Sequence, residues 1–420
     1  MSFHPHPEEH ILQDELNSVP VSVVTRFGFP EWDEIGQATR LLATHAQIEW
    51  GDRVLIFPCG HGALALWAAT RTQIDHITLR DTNLIAAEMA RRTAEASHRA
   101  GMDIDVGLPP ARDMYDVILM SLPKGRDLAR LFLLSAYKAL RDGGRLYLAG
   151  ANKAGIKSVA SDAEALFGRS TVLGYKGGHR AILLIRPSRA NEPELPSIYR
   201  APGIEEGTFA EFDVSVGEHV YHIRSRPGVF SWEHLDAGTR LLLEHTPIHV
   251  TDRVLDVGCG YGIIGIHAAR IAHKGHATLV DVDALACQSA RASLEANGIR
   301  HADVIIGDGL KAVGDRHYTL ILSNPPFHSG HRVTLNIAET FVRDAYTALE
   351  PRGRLVIVAN RFLPYDRIMN EVFGAVTTLA QTSRFHLLLA EKARLREAPE
   401  KKKPVDTGGD YEETIYQIPD

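Results

Sequence analysis

The sequence predicts an α/β protein built from two tandem domains, each containing a doubly wound, mostly parallel sheet. One block of sequence recurs 200 residues further along the chain, and each copy alternates short aliphatic runs with amphipathic segments. Buried parallel strands have such aliphatic runs, and alternating strands and helices assemble into one sheet through right-handed crossovers. The ligand crevice of such a sheet lies at the carboxyl ends of its strands.

The internal repeat is most apparent in the run from Asp52, DRVLIFPCGHGALALWAAT, and the run from Asp252, DRVLDVGCGYGIIGIHAAR. Eight of the 18 positions that start at Arg53 and Arg253 are identical. Three further pairs of blocks keep the same order: TLRD and TLVD from Thr78 and Thr278, YDVILMSLPK and YTLILSNPPF from Tyr115 and Tyr318, and AYKALRDGGRLYLAG and AYTALEPRGRLVIVA from Ala136 and Ala345. Four matched blocks indicate a duplicated domain rather than chance.

Each element of the second copy follows from its pattern. RVLDV, ATLVDV, DVIIG, LILSN and RLVIVAN have the length and aliphatic content of buried strands. The segments 284–296 and 338–349 place apolar residues three and four apart, as amphipathic helices do. A last strand, 385–390, is expected after a short helix.

The domain boundaries follow from composition. We expect a first domain over residues 1–190, a proline-rich linker and a hairpin over 191–232, a second domain over 233–395, and a charged tail over 396–420. The hairpin pairs 208–216 with 219–224 around Gly217-Glu218. The tail is expected to be a solvated extension or an RNA-contacting arm.

Composition excludes several classes of protein. The chain has 420 residues, 45% of them hydrophobic, and a net charge of −6, which excludes a disordered, collagen-like or coiled-coil protein. It lacks a signal-peptide pattern and an apolar run of ~18 residues, so we expect no membrane partner. With three cysteines and no HExxH cluster, we expect no metal, no disulfides and a cytoplasmic location.

A glycine-rich turn follows the first strand of the second copy. Gly258, Gly260 and Gly262 alternate behind Asp256, in the pattern DxGxGxG, whereas dinucleotide sites space their glycines as GxGxxG. This motif resembles the first motif of class I S-adenosylmethionine-dependent methyltransferases, and a carboxylate suits a cationic sulfonium ligand better than a pyrophosphate. Asp281, 21 residues beyond Gly260, is positioned to accept both ribose hydroxyls.

Two further strand ends carry candidate residues. Asp308 follows the third strand, where this fold meets adenine, although it is alternatively an acid of a surface loop. At the end of the fourth strand stand Asn324, Pro325, Pro326 and Phe327. The Asn324 side-chain oxygen and the Pro325 carbonyl can accept N–H bonds from an exocyclic amine and turn its lone pair toward a sulfonium methyl. Phe327 offers a face on which a flipped base can stack.

The second copy resembles the bacterial small-subunit ribosomal RNA guanine-N2 methyltransferase C family and its large-subunit relative. The resemblance rests on RPGVFS from Arg226, LDAGT from Leu235, VLDVGCGYGI, SNPPFHSG, VANRFLPY and QTSRFHLL. It implies two Rossmann-like class I methyltransferase domains, the first degenerate, and methyl transfer from S-adenosylmethionine to guanine N2 in ribosomal RNA, most simply 16S. By matched position, Phe230 and Asp236 would line the substrate pocket; alternatively they are a loop anchor and a helix cap. The tail beyond Lys392 has no counterpart in the family.

The first copy has lost most of these residues. Ile56 and Pro58 replace Asp256 and Gly258, and Ser121-Leu122-Pro123-Lys124 replaces the NPPF motif, although Asp81 survives. We therefore expect the first copy to bind no cofactor and to catalyse nothing.

Charge suggests a different role for the first copy. Residues 1–190 carry 22 Lys and Arg against 21 Asp and Glu, a net charge of +1, which leaves −7 for the remainder. Lys124, Arg126, Lys176 and Arg180 are candidates for RNA phosphate contacts, unless the copy is only a scaffold.

Alternative functions remain open from the sequence. The same NPP chemistry serves adenine N6 in RNA or DNA and the glutamine amide of a protein, and a non-catalytic RNA-binding protein is a third class. We expect a monomer whose partner is ribosomal RNA or a ribosomal subunit.

Overall fold

The computed structural model describes residues 9–110, 113–188, 194–325 and 331–393, although the side chains of 331–336 are not described. It contains two seven-stranded sheets and two separate two-stranded hairpins. The expectation of two tandem, mostly parallel, doubly wound sheets is confirmed. No helix in these four ranges combines the length and apolarity needed to cross a membrane.

The described residues of the first copy form a hairpin, seven sheet strands and five α-helices. Its strands are β1 (Glu9–Leu16), β2 (Val19–Arg26), β3 (Val54–Ile56), β4 (Ile77–Asp81), β5 (Asp103–Val106), β6 (Tyr115–Ser121), β7 (Leu140–Ala151), β8 (Ser170–Lys176) and β9 (His179–Ile185). Its helices are α1 (Gln37–His45), α2 (Ala63–Ala68), α3 (Leu84–Ala96), α4 (Arg126–Ala139) and α5 (Ile156–Phe167).

The second copy repeats this arrangement element by element. Its strands are β10 (Ala210–Val216), β11 (His219–Ser225), β12 (Arg253–Val257), β13 (His276–Asp281), β14 (Ala302–Ile306), β15 (Tyr318–Ser323), β16 (Leu349–Asn360), β17 (Thr377–Gln381) and β18 (Phe385–Glu391). Its helices are α6 (Ala237–His245), α7 (Ile263–Ile271), α8 (Ala284–Ala296), α9 (His331–Ala348) and α10 (Tyr365–Phe373).

The two sheets have the same strand order. The order is β5-β4-β3-β6-β7-β9-β8 in the first copy and β14-β13-β12-β15-β16-β18-β17 in the second. In the second sheet β12 to β16 are parallel, and β18 runs antiparallel to both β16 and β17. The strand order changes side at the central strand β12: β13 and β14 lie on one side of it, and β15 and β16 lie on the other. The carboxyl ends of β12, β13 and β15 therefore surround one crevice.

A hairpin precedes each sheet, and the sequence revealed only the second of them. β1 and β2 turn at Asn17 and Ser18, which both have positive φ, whereas β10 and β11 turn at Gly217. The first hairpin packs on α3 and the second on α8. The repeated unit therefore begins at the hairpin, upstream of the repeat that starts at Asp52.

The described part of the segment between the copies is packed against the first domain. Tyr199 is fully buried, and its hydroxyl donates to the Asp162 carbonyl at 2.7 Å. The expected linker therefore has an anchored stretch.

The two copies meet through the turns that follow β4 and β13. Leu84 N donates to Val282 O and Ala284 N donates to Thr82 O, both at 2.8 Å, and Asn83 pairs with Asp283 in an antiparallel bridge. Each copy thus presents the same turn to the other. The Thr82 hydroxyl also donates to Asp283 Oδ2 at 2.8 Å.

Candidate active site

The glycine-rich turn between β12 and α7 forms one wall of the crevice. Gly258 and Gly260 have φ values of 73° and 56°, which favour glycine. A Cβ added to Gly258 would have no protein atom within 4 Å, and one added to Gly260 would meet only Val229, at 3.7 Å. The turn is therefore a concave cradle whose bare backbone a ligand can approach.

Asp281 braces this turn from the end of the neighbouring strand. Its Oδ2 accepts from Gly260 N at 2.9 Å, and its Oδ1 accepts from Asp283 N at 3.0 Å. Burial raises the pKa of the Asp281 carboxyl, while its hydrogen bonds from backbone N–H groups act in the opposite direction. The predicted ribose acid lies at the crevice and also supports the turn.

Asp256 and Gly262 lie on the packed side of the turn, which differs from their expected direct contact with a cofactor. Asp256 is fully buried; its Oδ2 accepts from Gly265 N at 2.8 Å, and its Oδ1 has no hydrogen-bond partner. Burial raises the pKa of this carboxyl to about 7. A Cβ on Gly262 would lie 3.0 Å from the Ala290 Cβ, so this glycine allows α7 and α8 to approach closely.

Asp308 follows β14 and contacts the first copy. Its Oδ2 accepts from Arg26 Nη1 at 2.8 Å. The sequence placed Asp308 at the adenine end of the crevice but did not reveal an arginine from the first domain at that position.

Asn324 is held by two side chains of the preceding segment. Its Nδ2 donates to the Thr239 hydroxyl at 2.9 Å and to Asp236 Oδ2 at 3.3 Å. Asp236 also caps α6 by accepting from Thr239 N at 3.0 Å, so one carboxylate contacts both the helix N-terminus and the Asn324 amide. With the amide nitrogen held in this way, the Asn324 side-chain oxygen is the group left for an incoming amine.

The strand ends around Asn324 are joined to the turn. The Ser323 hydroxyl donates to the Val257 carbonyl at 2.8 Å, and Pro325 is buried. The Tyr261 hydroxyl donates to the His234 carbonyl at 3.2 Å, linking the turn to the segment that contains Asp236. Pro326 and Phe327 lie outside the described residues. The sequence did not predict that Thr239 supports Asn324. The first copy has a threonine at the same position, Thr39, so the comparison of the two copies did not single out Thr239 as a site residue.

Phe230 lies in the segment between β11 and α6. Its side chain is 58% exposed, although its neighbour Val229 is buried beside Gly260. Phe230 is thus the chain neighbour of a residue that contacts the glycine-rich turn.

The first copy keeps the framework of this site without its chemistry. Asp81 accepts from Gly60 N at 3.2 Å and from Asn83 N at 3.0 Å, the same bonds that Asp281 makes. Pro58 has no N–H where Gly258 donates to Val280 O. Leu122 stands where the second copy has Pro325, and its N–H donates to the Ala149 carbonyl.

Of the four basic residues that are candidates for RNA contacts in the first copy, two are hydrogen-bonded to other side chains among the described residues and two are not. Arg126 makes two hydrogen bonds of 2.7 Å to Asp162, and Arg180 donates to Asn152 at 2.9 Å. Lys124 and Lys176 are exposed and make no ion pair within the described part of the chain. These two lysines are the better candidates for phosphate contacts.

The strand order and the glycine-rich turn define a methyltransferase of class I. The model of the methyltransferase small domain family matches residues 20–182 and 220–389. With 34% identity to one curated member and both halves matched by the family model, the chain belongs to the ribosomal RNA small subunit methyltransferase C family. The resemblance stated from the motifs is confirmed.

Individual relatives support this assignment. The chain is 34% identical to ribosomal RNA small subunit methyltransferase C of Stutzerimonas stutzeri over 70% of this chain and 84% of that protein. Identity to the Salmonella choleraesuis protein of the same name is 33%, over 64% and 74% of the two chains. The T. thermophilus 16S rRNA N2 G1207 methyltransferase, solved in complex with AdoMet and guanosine, superposes with a TM-score of 0.74 at 29% identity, over 91% of this chain and 98% of that one.

Proposed function

We propose that this protein transfers a methyl group from S-adenosylmethionine to the exocyclic N2 amine of a guanine in 16S ribosomal RNA. The observation that carries the proposal is the orientation of Asn324: Thr239 and Asp236 hold its amide nitrogen, so its oxygen is available to a substrate amine. The T. thermophilus relative, a 16S rRNA N2 G1207 methyltransferase, supports guanine as the target.

The residues around the turn fit the cofactor. The backbone at Gly258 and Gly260 leaves open space for it, and Asp281 lies where a carboxylate can accept ribose hydroxyls. We propose that Asp308, which Arg26 contacts, holds the adenine end, while Asp256 and Gly262 support the turn from its packed side. When bound, S-adenosylmethionine supplies a methyl group on a sulfonium that is a good leaving group.

Asn324 and Pro325 would position the amine. The amine lone pair of guanine is delocalised into the ring, so the nitrogen is a poor nucleophile until its N–H bonds are directed away from the methyl. The Asn324 oxygen and the Pro325 carbonyl accept those bonds, and positioning rather than a strong base provides the acceleration. On the sequence motif alone, we propose that Pro326, Phe327 and Phe230 contact the flipped guanine.

The first copy is proposed to bind no cofactor and to help position the RNA. Ile56, Pro58 and Ser121 remove the buried acid, the free turn and the amide acceptor. Replacing Lys124 and Lys176 by alanine should weaken RNA binding and reduce its salt dependence by up to about one counterion per lysine. An unchanged salt slope in filter-binding titrations would contradict this role.

The remaining partners follow from the substrate. A ribosomal RNA substrate implies a cytoplasmic enzyme, and we propose that it acts as a monomer without a metal. Within the described ranges no group of three or more His, Cys, Asp or Glu side chains is arranged to hold a metal ion.

The test is to locate the methyl group. The protein is incubated with labelled S-adenosylmethionine and unmodified 16S RNA, either free or in small subunits, and the product is digested and analysed by mass spectrometry. We expect N2-methylguanine at the position equivalent to the G1207 named for the T. thermophilus protein. Label on adenine N6 or on a protein glutamine would instead support one of the alternative amine substrates.

A further inference from the structure

The adenine end of the proposed cofactor site is built partly from the first copy. Arg26, the last residue of β2, donates from Nη1 to Asp308 Oδ2 at 2.8 Å. The two side chains are only 18% and 29% exposed. A partly buried, charge-assisted hydrogen bond of this length restricts the orientation of the carboxylate more than an exposed ion pair does.

A cavity of about 580 Å³ lies at this contact. Residues from both copies line it, including Arg26, Glu88, Met89, Ile306, Asp308 and Lys311. The cavity lies beyond the end of β14, next to the strand that ends at Asp281. The cavity is therefore formed at the end of the strand that pairs with the one ending at the proposed ribose position.

We propose that Arg26 is a positioning residue for the cofactor, and that it holds Asp308 so that its carboxylate receives the adenine amine. This proposal rests on the proposed function. Arg26 occupies Oδ2, whereas Oδ1 of Asp308 accepts no hydrogen bond within the described part of the chain. An ionised carboxylate only accepts hydrogen bonds, so the free oxygen suits the exocyclic N–H of adenine.

The repeat supports this assignment by its asymmetry. At the offset of 200, Arg26 corresponds to Arg226, and Asp308 corresponds to Leu108. Arg226 instead donates to the Gln288 side chain at 3.0 Å and to the Gly203 carbonyl at 3.4 Å. The arginine occurs in both copies, but the carboxylate that it orients occurs only beside the intact cofactor site.

The contact between the domains also supports the ribose acid. Thr82 of the first copy donates to Asp283 Oδ2, and Asp283 N donates to Asp281 Oδ1 at 3.0 Å. The first copy is therefore connected to the ribose end through Asp283 and to the adenine end through Asp308. At the adenine end the first copy contributes one side chain, Arg26, so a single substitution can remove this contribution.

The test measures cofactor binding in the full-length protein. Calorimetric titration with S-adenosylmethionine should show that Arg26→Ala raises Kd about tenfold, while Arg26→Lys recovers most of the affinity. In methylation assays the KM for S-adenosylmethionine should rise and kcat should stay near the wild-type value, because Arg26 does not contact the amine. In an Asp308→Asn background, Arg26→Ala should cause little further loss.

Nucleoside discrimination separates positioning from a general structural effect. Inosine carries an oxygen where adenosine has its amine, so the wild-type protein should bind adenosine more tightly than inosine in competition experiments. Arg26→Ala should reduce that preference, whereas a merely structural change would weaken both nucleosides equally. Arg130→Ala is the matched control, since Arg130 is also 18% exposed and pairs with acids inside the first domain.

Failure of the proposed function and failure of the proposed role of Arg26 would give different results. A wild-type protein that binds no S-adenosylmethionine would overturn the proposed function itself. A wild-type protein that binds the cofactor, together with an Arg26→Ala variant of unchanged Kd or unchanged adenosine preference, would overturn only the role of Arg26.

Discussion

The two copies share a framework and differ in chemistry, and the comparison separates the two kinds of residue. Asp81 and Asp281 brace their turns with equivalent hydrogen bonds, and Asp52 with Arg145 forms the same ion pair as Asp252 with Arg354. Residues retained in a copy that has lost the amide and the free turn are maintained by the fold. We propose that the cofactor and the reaction need residues found only in the second copy: Asp236, Asp256, Gly258, Asp308 and Asn324.

The largest expected difference between the copies is at Asn324 and its counterpart Ser121. Asn324→Ala removes the proposed amine acceptor, and we expect kcat to fall about 100- to 1,000-fold, as on loss of one transition-state hydrogen-bonding group. The Kd for S-adenosylmethionine should change little. Ser121→Ala should leave the methylation rate of 16S RNA unchanged, and a comparable loss in both variants would show that the first copy takes part in the chemistry.

The two ribose-position acids should separate fold from binding. We expect Asp281→Asn to raise the Kd for S-adenosylmethionine about 10- to 100-fold, since hydrogen bonds to a charged group are worth about 1.5–3 kcal/mol. Asp81→Asn should lower the free energy of unfolding by about 1.5–3 kcal/mol, seen as a lower melting temperature, without changing Kd. Calorimetry and thermal unfolding of both variants test this, and loss of cofactor affinity in Asp81→Asn would contradict an inactive first copy.

A smaller effect is expected at the paired threonines. Thr239→Val preserves shape but removes the hydroxyl that holds Asn324 Nδ2, so we expect kcat to fall about fivefold, the worth of one neutral hydrogen bond. Thr39→Val is the matched control, because Thr39 is also buried in the first α-helix of its copy. Equal rates for Thr239→Val and the wild type would show that Asp236 alone orients the amide.

The last expected difference between the copies concerns the pH dependence of stability rather than the reaction. The pKa of Asp256 is raised from 3.8 to about 7 by burial, so between these values the folded protein holds a proton that the unfolded chain releases. Stability should therefore decrease as the pH rises from about 4 to 7, by up to about 1.4 kcal/mol per pH unit from this group. In the Asp256→Asn variant, the free energy of unfolding should decrease less steeply with rising pH than in the wild type.

Urea unfolding at several pH values measures this slope. Asp315→Asn changes an exposed acid of the same domain and should leave the slope at its wild-type value. An Asp256→Asn variant with an unaltered slope would contradict the assignment of the titration to Asp256. The first copy has Ile56 at this position and makes no such contribution.

The sequence predicted the features that depend on local patterns of residues. Aliphatic runs located the central strands, and the repeat offset identified the positions that the first copy has lost. The first hairpin was missed because Asn17 and Ser18 make its turn without a glycine or proline signal. The edge strand β17 was missed because TTLAQ is short and largely exposed, and so lacks the aliphatic character of the central strands.

Contacts between distant segments were the least predictable part of the site. Thr239 and Asp236 approach Asn324 across more than 80 residues, and Arg26 approaches Asp308 across 282. No periodicity links such positions, because their separation depends on how the sheets and hairpins pack. Asp281, Asp308 and Asn324 lie at the ends of strands of one sheet, as predicted, while the side chains that orient them became evident only in three dimensions.

The reciprocal hydrogen bonds at Thr82 and Leu84 with Val282 and Ala284 have the form of contacts across the two-fold axis of a homodimer. In such a dimer every contact occurs twice with the partners exchanged, as the two hydrogen bonds do here, and a residue at the axis meets its own counterpart, as Asn83 meets Asp283. Joining two subunits in one polypeptide keeps their effective concentration high and removes the requirement that they remain identical. One copy could then lose its catalytic residues and still keep its contact with the other copy. The first copy would in this way remain as a permanently attached, non-catalytic subunit.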